Sequence, residues 1–145
     1  MSDSELLQAY LDTVWTIQGP DGGIEVRPGH SAPRALRPAG IVTAWNPASR
    51  QLPEGENRRA DAGLRARIAA MGMEAWPTLA LGTGGDGSWD EPGWCIPGPS
   101  ARAMSIALGA EFGQNAIVWI DVDGGVAIVC TRDGFCGARV GEVLG

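Results

Sequence analysis

An α+β fold is predicted for this chain of 145 residues: one mostly antiparallel sheet of about six to seven strands, with two main helices and a short N-terminal helix packed against it. Two segments, Pro53 to Gly72 and Ser100 to Gly113, repeat apolar residues at helical spacing. Around them lie β-branched and tryptophan-bearing runs, joined in pairs by glycine-rich turns. The order is helix, hairpin, strand, helix, hairpin, helix, hairpin, which places helices against an antiparallel sheet. The length suits a single globular domain over residues 1–145, able to bury close to two thirds of its unfolded surface without a staple. Glycine, at 22 residues, is about twice its usual share, and ten prolines accompany it, so tight turns are expected throughout.

Ser2-Asp3-Ser4-Glu5 matches a capping box, so a short helix starts there and carries Leu7, Tyr10 and Leu11 against the body. Thr13 to Ile17 reads as the first strand, turned by residues 19–23 into Ile24 to Arg27. Residues 28–38 are irregular, with room for one helical turn near Arg34. Trp76 to Leu81 is a strand, and Gly93 to Pro97 closes its hairpin across a glycine-rich loop over residues 82–88. Ser100 is an N-cap for a helix with the stripe Met104, Leu108 and Phe112, stopped by Gly113. Asn115 to Asp121 and Gly125 to Cys130 form the last hairpin, with Asp123-Gly124 at its tip. The tail from Phe135 offers either a short strand or a frayed end.

The chain is organised around residues 40–71. The run Ile41 to Asn46 alternates as a strand, and Pro47 biases Asn46 toward an extended conformation while ending the ladder. The next helix begins at Pro53, with Glu54 and Glu56 complementing the positive end of its dipole. Its stripe is Ala60, Leu64, Ile68 and Met71, and one step back lies Asn57, an amide on the core-facing side. A buried amide without partners costs about 1 to 3 kcal/mol. Asn57 therefore either tethers the 47–52 loop or, with Asn46, lines a ligand pocket.

Composition narrows the chemistry. All eleven basic residues are arginine, so neither a lysine Schiff base nor a phosphate-loop lysine exists. The net charge of −6 argues against generic nucleic-acid binding. No apolar run is long enough for a membrane span and the start lacks signal-peptide character, so a cytoplasmic location is expected. Cys95, Cys130 and Cys136 have no paired spacing and are expected as reduced thiols; no metal and no cofactor is expected. Gly29-His30-Ser31 is not a nucleophile elbow, since Pro33 replaces its second glycine. Nothing places a cysteine beside His30, the only histidine. The glycine run lacks the Gly-Lys-Ser/Thr ending of a phosphate loop. Asp121 and Asp123, with Glu91 as a third carboxylate, read better as turn residues than as metal ligands. A plain surface turn is the favoured reading of Glu91-Pro92; because Glu91 lies between Trp89 and Trp94, and apolar surroundings raise a carboxyl pKa, it is also the one candidate general acid or base.

The words Thr43-Ala44-Trp45-Asn46-Pro47, Glu56-Asn57 opening a helix, Glu91-Pro92 before a strand, and Phe112-Gly113-Gln114-Asn115-Ala116 entering another resemble a small bacterial family of uncharacterised proteins, domain of unknown function 3293. The likeness runs from about Tyr10 to Val129. It implies a self-contained domain and no assigned activity, and its polar signature falls on Asn46, Asn57, Glu91, Gln114 and Asn115. The chain departs from the family's pattern at Arg58 and Arg59.

Two functions follow. The first is a non-catalytic protein-interaction module, acidic and docking through the Trp89 to Trp94 edge. The second is a pocket for a small polar ligand, built from Asn46, Asn57, Gln114 and Asn115, with Glu91 moving any proton. The sparseness of catalytic groups favours the first.

Overall fold

Side chains alternate along each strand, and in this protein both sets are apolar, so the sheet carries a core on each face. A computed structural model describes residues 1–82 and 90–145. Its elements in chain order are α1 (Asp3–Leu11), β1 (Val14–Gly19), β2 (Gly22–Val26), β3 (Ala39–Val42), α2 (Glu54–Ala70), β4 (Trp76–Leu81), β5 (Glu91–Pro97), α3 (Ala101–Glu111), β6 (Ala116–Ile120), β7 (Val126–Cys130) and β8 (Val143–Leu144). The eight strands form one sheet in the order β2-β1-β4-β5-β3-β6-β7-β8. Every neighbouring pair is antiparallel, and the sheet curls into a half-barrel. The α+β class is as expected, with one strand more than the sequence suggested because the tail returns to pair Val143 with Val129.

Ala39 and Ile41 of β3, Cys95 of β5 and Val118 and Ile120 of β6 point to the concave face, with Trp15 and Ile17 of β1. Leu6, Leu7, Tyr10 and Leu11 of α1 pack there, yet no residue of α1 is buried. The capping box forms: the Glu5 amide donates to Ser2 Oγ at 3.2 Å, and the Ser2 amide donates to Glu5 Oε1 at 3.3 Å. Val42, Ile96, Ile117, Trp119 and Val129 point the other way, against α2 and α3.

Three expectations fail locally. The strand predicted over Ile41 to Asn46 ends at Val42, because Thr43 Oγ1 donates to Pro92 O at 2.7 Å and accepts the Trp45 amide at 3.0 Å, replacing the ladder. Ser100 makes no side-chain cap bond and is itself helical (φ −79°, ψ −7°). The buried stripe of α3 is Ala101, Ser105, Leu108 and Gly109; of the expected Met104, Leu108 and Phe112 only Leu108 is buried, with Phe112 packed partly buried beside it. Close approach decides this face. A Cβ on Gly40 of β3 would fall inside Ser105, and one on Gly109 would lie 2.8 Å from Ile117 Cγ2.

Candidate functional site

The loop after β3 builds the site. Asn46 is left-handed (φ 46°, ψ 66°) rather than extended, and Ala48 (φ 53°) and Ser49 (φ 60°) follow it into positive φ. Non-glycine residues held in this region carry strain of about 1 kcal/mol or more each, so the surroundings must hold them. Asn57 of α2 does so: its Oδ1 accepts the Asn46 amide at 2.9 Å, and its Nδ2 donates to Asn46 Oδ1 at 2.8 Å and to Leu52 O at 3.3 Å. Asn46 Oδ1 also accepts the Leu52 amide at 3.0 Å. Asn57 is 2% exposed, and its bonds are those of a loop tether. The remaining donor of Asn46, Nδ2, reaches Glu91 Oε1 at 3.3 Å.

Two further amides hold the other end of the loop. Gln114 Nε2 donates to Trp45 O and Phe112 O, both at 3.3 Å. Asn115 Nδ2 donates to Ser49 Oγ at 3.1 Å, while its Oδ1 accepts Arg132 Nε at 2.7 Å. Ser49 Oγ in turn lies 3.2 Å from the hydroxyl of Tyr10. The loop thus joins α1, α2, β5 and the entry to β6.

Between α1 and the concave face, beside this loop, is a cavity of about 430 Å³. Asn46, Gln114 and Glu91 line it, with Tyr10, Ser49 and Thr78; Asn57 and Asn115 stand behind that wall. Ile41, Ala80 and Val118 supply part of its apolar surface. Glu91 faces it because β5 alternates, placing Glu91 and Gly93 on the concave side and Trp94 on the other. Burial pushes the Glu91 carboxyl up to about 7, opposed only by the Asn46 amide. Burial also raises the Tyr10 phenol, against the pull of its Ser49 and Asn115 bonds. Thr78 is 6% exposed, and its hydroxyl has no hydrogen-bond partner among the described residues.

Trp94 is half-buried on the α2 face. Its indole donates to Asp61 Oδ1 at 2.9 Å, and the Arg65 guanidinium stacks 5.2 Å from its ring centroid. Burial raises the Asp61 carboxyl, partly offset by that indole bond. Trp89, and the glycine-rich loop from Thr83 onward, lie outside the described residues. The cysteines are free thiols, and burial pushes Cys95 up to about 12. His30 is exposed and does not line the cavity. Asp121 and Asp123 accept the Val122 and Gly125 amides, as turn aspartates do.

Tyr10, Ser49 and Thr78 are absent from the sequence-based set. Thr78 left a signal, since a threonine interrupts the inward series of β4 between Trp76 and Ala80. Tyr10 and Ser49 left none, because their meeting depends on how α1 crosses the sheet.

Fold and site define an α+β domain with a sheltered cavity on the concave side of an antiparallel half-barrel. The model of the family described as protein of unknown function (DUF3293) matches residues 42–117, more than half the chain, and the protein belongs to that family. The matched stretch includes Asn46, Asn57, Glu91, Gln114 and Asn115. Comparison with curated proteins and with solved structures finds no match. Among the described residues no helix is long and apolar enough to cross a membrane.

Proposed function

We propose that the cavity beneath α1 binds a small molecule with an apolar body and one polar end. The observation that carries this reading is the cavity itself, about 430 Å³, lined by apolar side chains and by polar groups of which Asn46, Ser49, Glu91 and Gln114 cluster about the loop after β3. Its volume falls in the range of small-ligand sites, which combine an apolar wall with a few placed polar groups. Asn46 and Gln114 orient the polar end, with Tyr10 and Ser49 beside them. Glu91, half-ionised near neutrality, is the group that takes or gives a proton there. Asn57 and Asn115 act as positioning residues, holding Asn46 and Ser49. This ordering reverses the preference for an interaction module, because the Trp94 indole is engaged by Asp61 and Arg65 rather than offered to a partner.

A thermal-shift screen of nucleotides, sugar phosphates, amino acids and apolar-bodied amines, alcohols and acids tests the reading. It is run on the natural protein and on Ala80→Leu, which fills the cavity. A ligand at a hundredfold its dissociation constant adds about 2.7 kcal/mol, a shift of several degrees. The expected result is a shift in the natural protein that Ala80→Leu loses. A flat response, or equal shifts in both proteins, overturns the proposal.

A further inference from the structure

The charge of the cavity wall points to the ligand's polar end, on the assumption that the proposed pocket is real. No Arg, Lys or His side chain lines the cavity among the described residues, and residues 83–89 contain none in sequence. Among the described residues the titratable side chains on its wall are Glu5 and Tyr10 from α1, Asp12 directly after it and Glu91 from β5; β1, β3, β4, β6 and β7 contribute none. The α-amino group of Met1, a residue 68% exposed, acts on Glu5 at the rim. An anionic ligand would therefore meet like charges with no buried counter-ion.

Hydrogen-bond direction agrees with charge. An anion or a carbonyl oxygen needs donors, and three of the four amide N–H groups here are directed at protein acceptors. Asn46 Nδ2 is directed at Glu91, and Gln114 Nε2 at two carbonyl oxygens. Acceptors are left over instead: among the described residues the second carboxylate oxygen of Glu91 and Gln114 Oε1 have no donor, and the Thr78 hydroxyl, which can donate or accept, is without a partner. A group rich in N–H and positively charged satisfies such a wall, whereas a carboxylate or phosphate does not. Tyr10 and Trp15 add aromatic surface of the kind that attracts cations.

We infer that the ligand carries a cationic nitrogen, a primary ammonium on an apolar or aromatic body, which pairs with Glu91 at the loop end of the cavity. Binding then shifts Glu91 to its ionised form, its proton leaving to solvent, since an ammonium beside a carboxylate favours the charged state.

Isothermal titration calorimetry with three probes of equal size tests this: 3-phenylpropylammonium, 3-phenylpropionate and 3-phenylpropanol, on the natural protein and on Glu91→Gln. The ammonium is expected to bind tightest. With Glu91 titrating at about 7, its affinity should rise about tenfold between pH 6 and pH 8, and Glu91→Gln should lose that dependence. Tightest binding by the alcohol or the carboxylate overturns the inference and leaves the pocket standing. Ammonium binding that does not change with pH in the natural protein overturns the pairing with Glu91. No binding by any probe overturns this inference, and a flat screen over the wider library would also remove the pocket. The pH profile is read on the natural protein, so the test survives a variant that fails to fold.

Discussion

On the helix-covered face of the sheet there is no room for a methyl group at Gly40 or Gly109, whereas on the concave face a cavity of about 430 Å³ lies under α1. Both faces use small residues at their centre. Gly40, Ser105 and Gly109 let α3 lie directly on β3 and β6. Ala80 and Ala116 face a nine-residue helix, none of whose side chains is buried, and the space between stays open. A small residue thus closes a gap or leaves one, depending on the element that covers it. The α2 and α3 side is the scaffold, and the α1 side is where a ligand has room.

Cutting the tie between the two sides should have the largest effect. Asn57→Ala removes three hydrogen bonds and leaves the buried Asn46 amide unpaired, so a loss of about 3 to 4 kcal/mol is expected in urea denaturation. Gly40→Ala comes next, with about 3 kcal/mol lost to the collision with Ser105, read the same way.

Glu91→Gln separates the faces through pH. The folded pKa of Glu91, about 7, lies above its ordinary 4.5, so folding favours the protonated form. The stability this contributes is full below about 4.5 and is lost as pH rises through about 7. The natural protein should therefore weaken by at most about 3 kcal/mol between pH 4.5 and pH 8, relative to Glu91→Gln. Denaturation midpoints of both proteins at the two pH values check the sign. The smallest effect is expected for Ala80→Val, which adds bulk where there is space: a change within about 1 kcal/mol, against the larger loss from one methyl at Gly40. Equal losses at the two positions would erase the distinction between the faces.

Much of the fold was legible where periodicity is local. β4 occupies the predicted Trp76 to Leu81, and α2 differs from its expected span by a residue or two at each end. The burial of Asn57 followed from its place one step before the Ala60 stripe. Legibility stopped where a side chain competed with the backbone, as Thr43 does by ending β3, and where Asn46 left the extended region despite Pro47. It stopped again at α3, because hydrophobicity pointed to Met104 while close packing selected Ser105 and Gly109. For the site, the polar character of residues 46, 91 and 114 could be read, but the cavity between them could not. Its walls come from six strands and α1, and it exists because of what α1 does not fill. Sequence placed Glu91 beside Trp94, yet alternation along β5 sends the two to opposite faces, so the pKa of Glu91 is raised on the concave side.

The most direct test of the concave face as a sheltered cavity, rather than a hydrated groove, is the titration of the Glu91 carboxyl carbon by 13C NMR in the unliganded protein. With Glu91→Gln used to assign the signal, a midpoint at about 7 is the result expected of a carboxyl held in that wall. A midpoint near the ordinary 4.5 would mean that water solvates Glu91 freely, and would contradict the account.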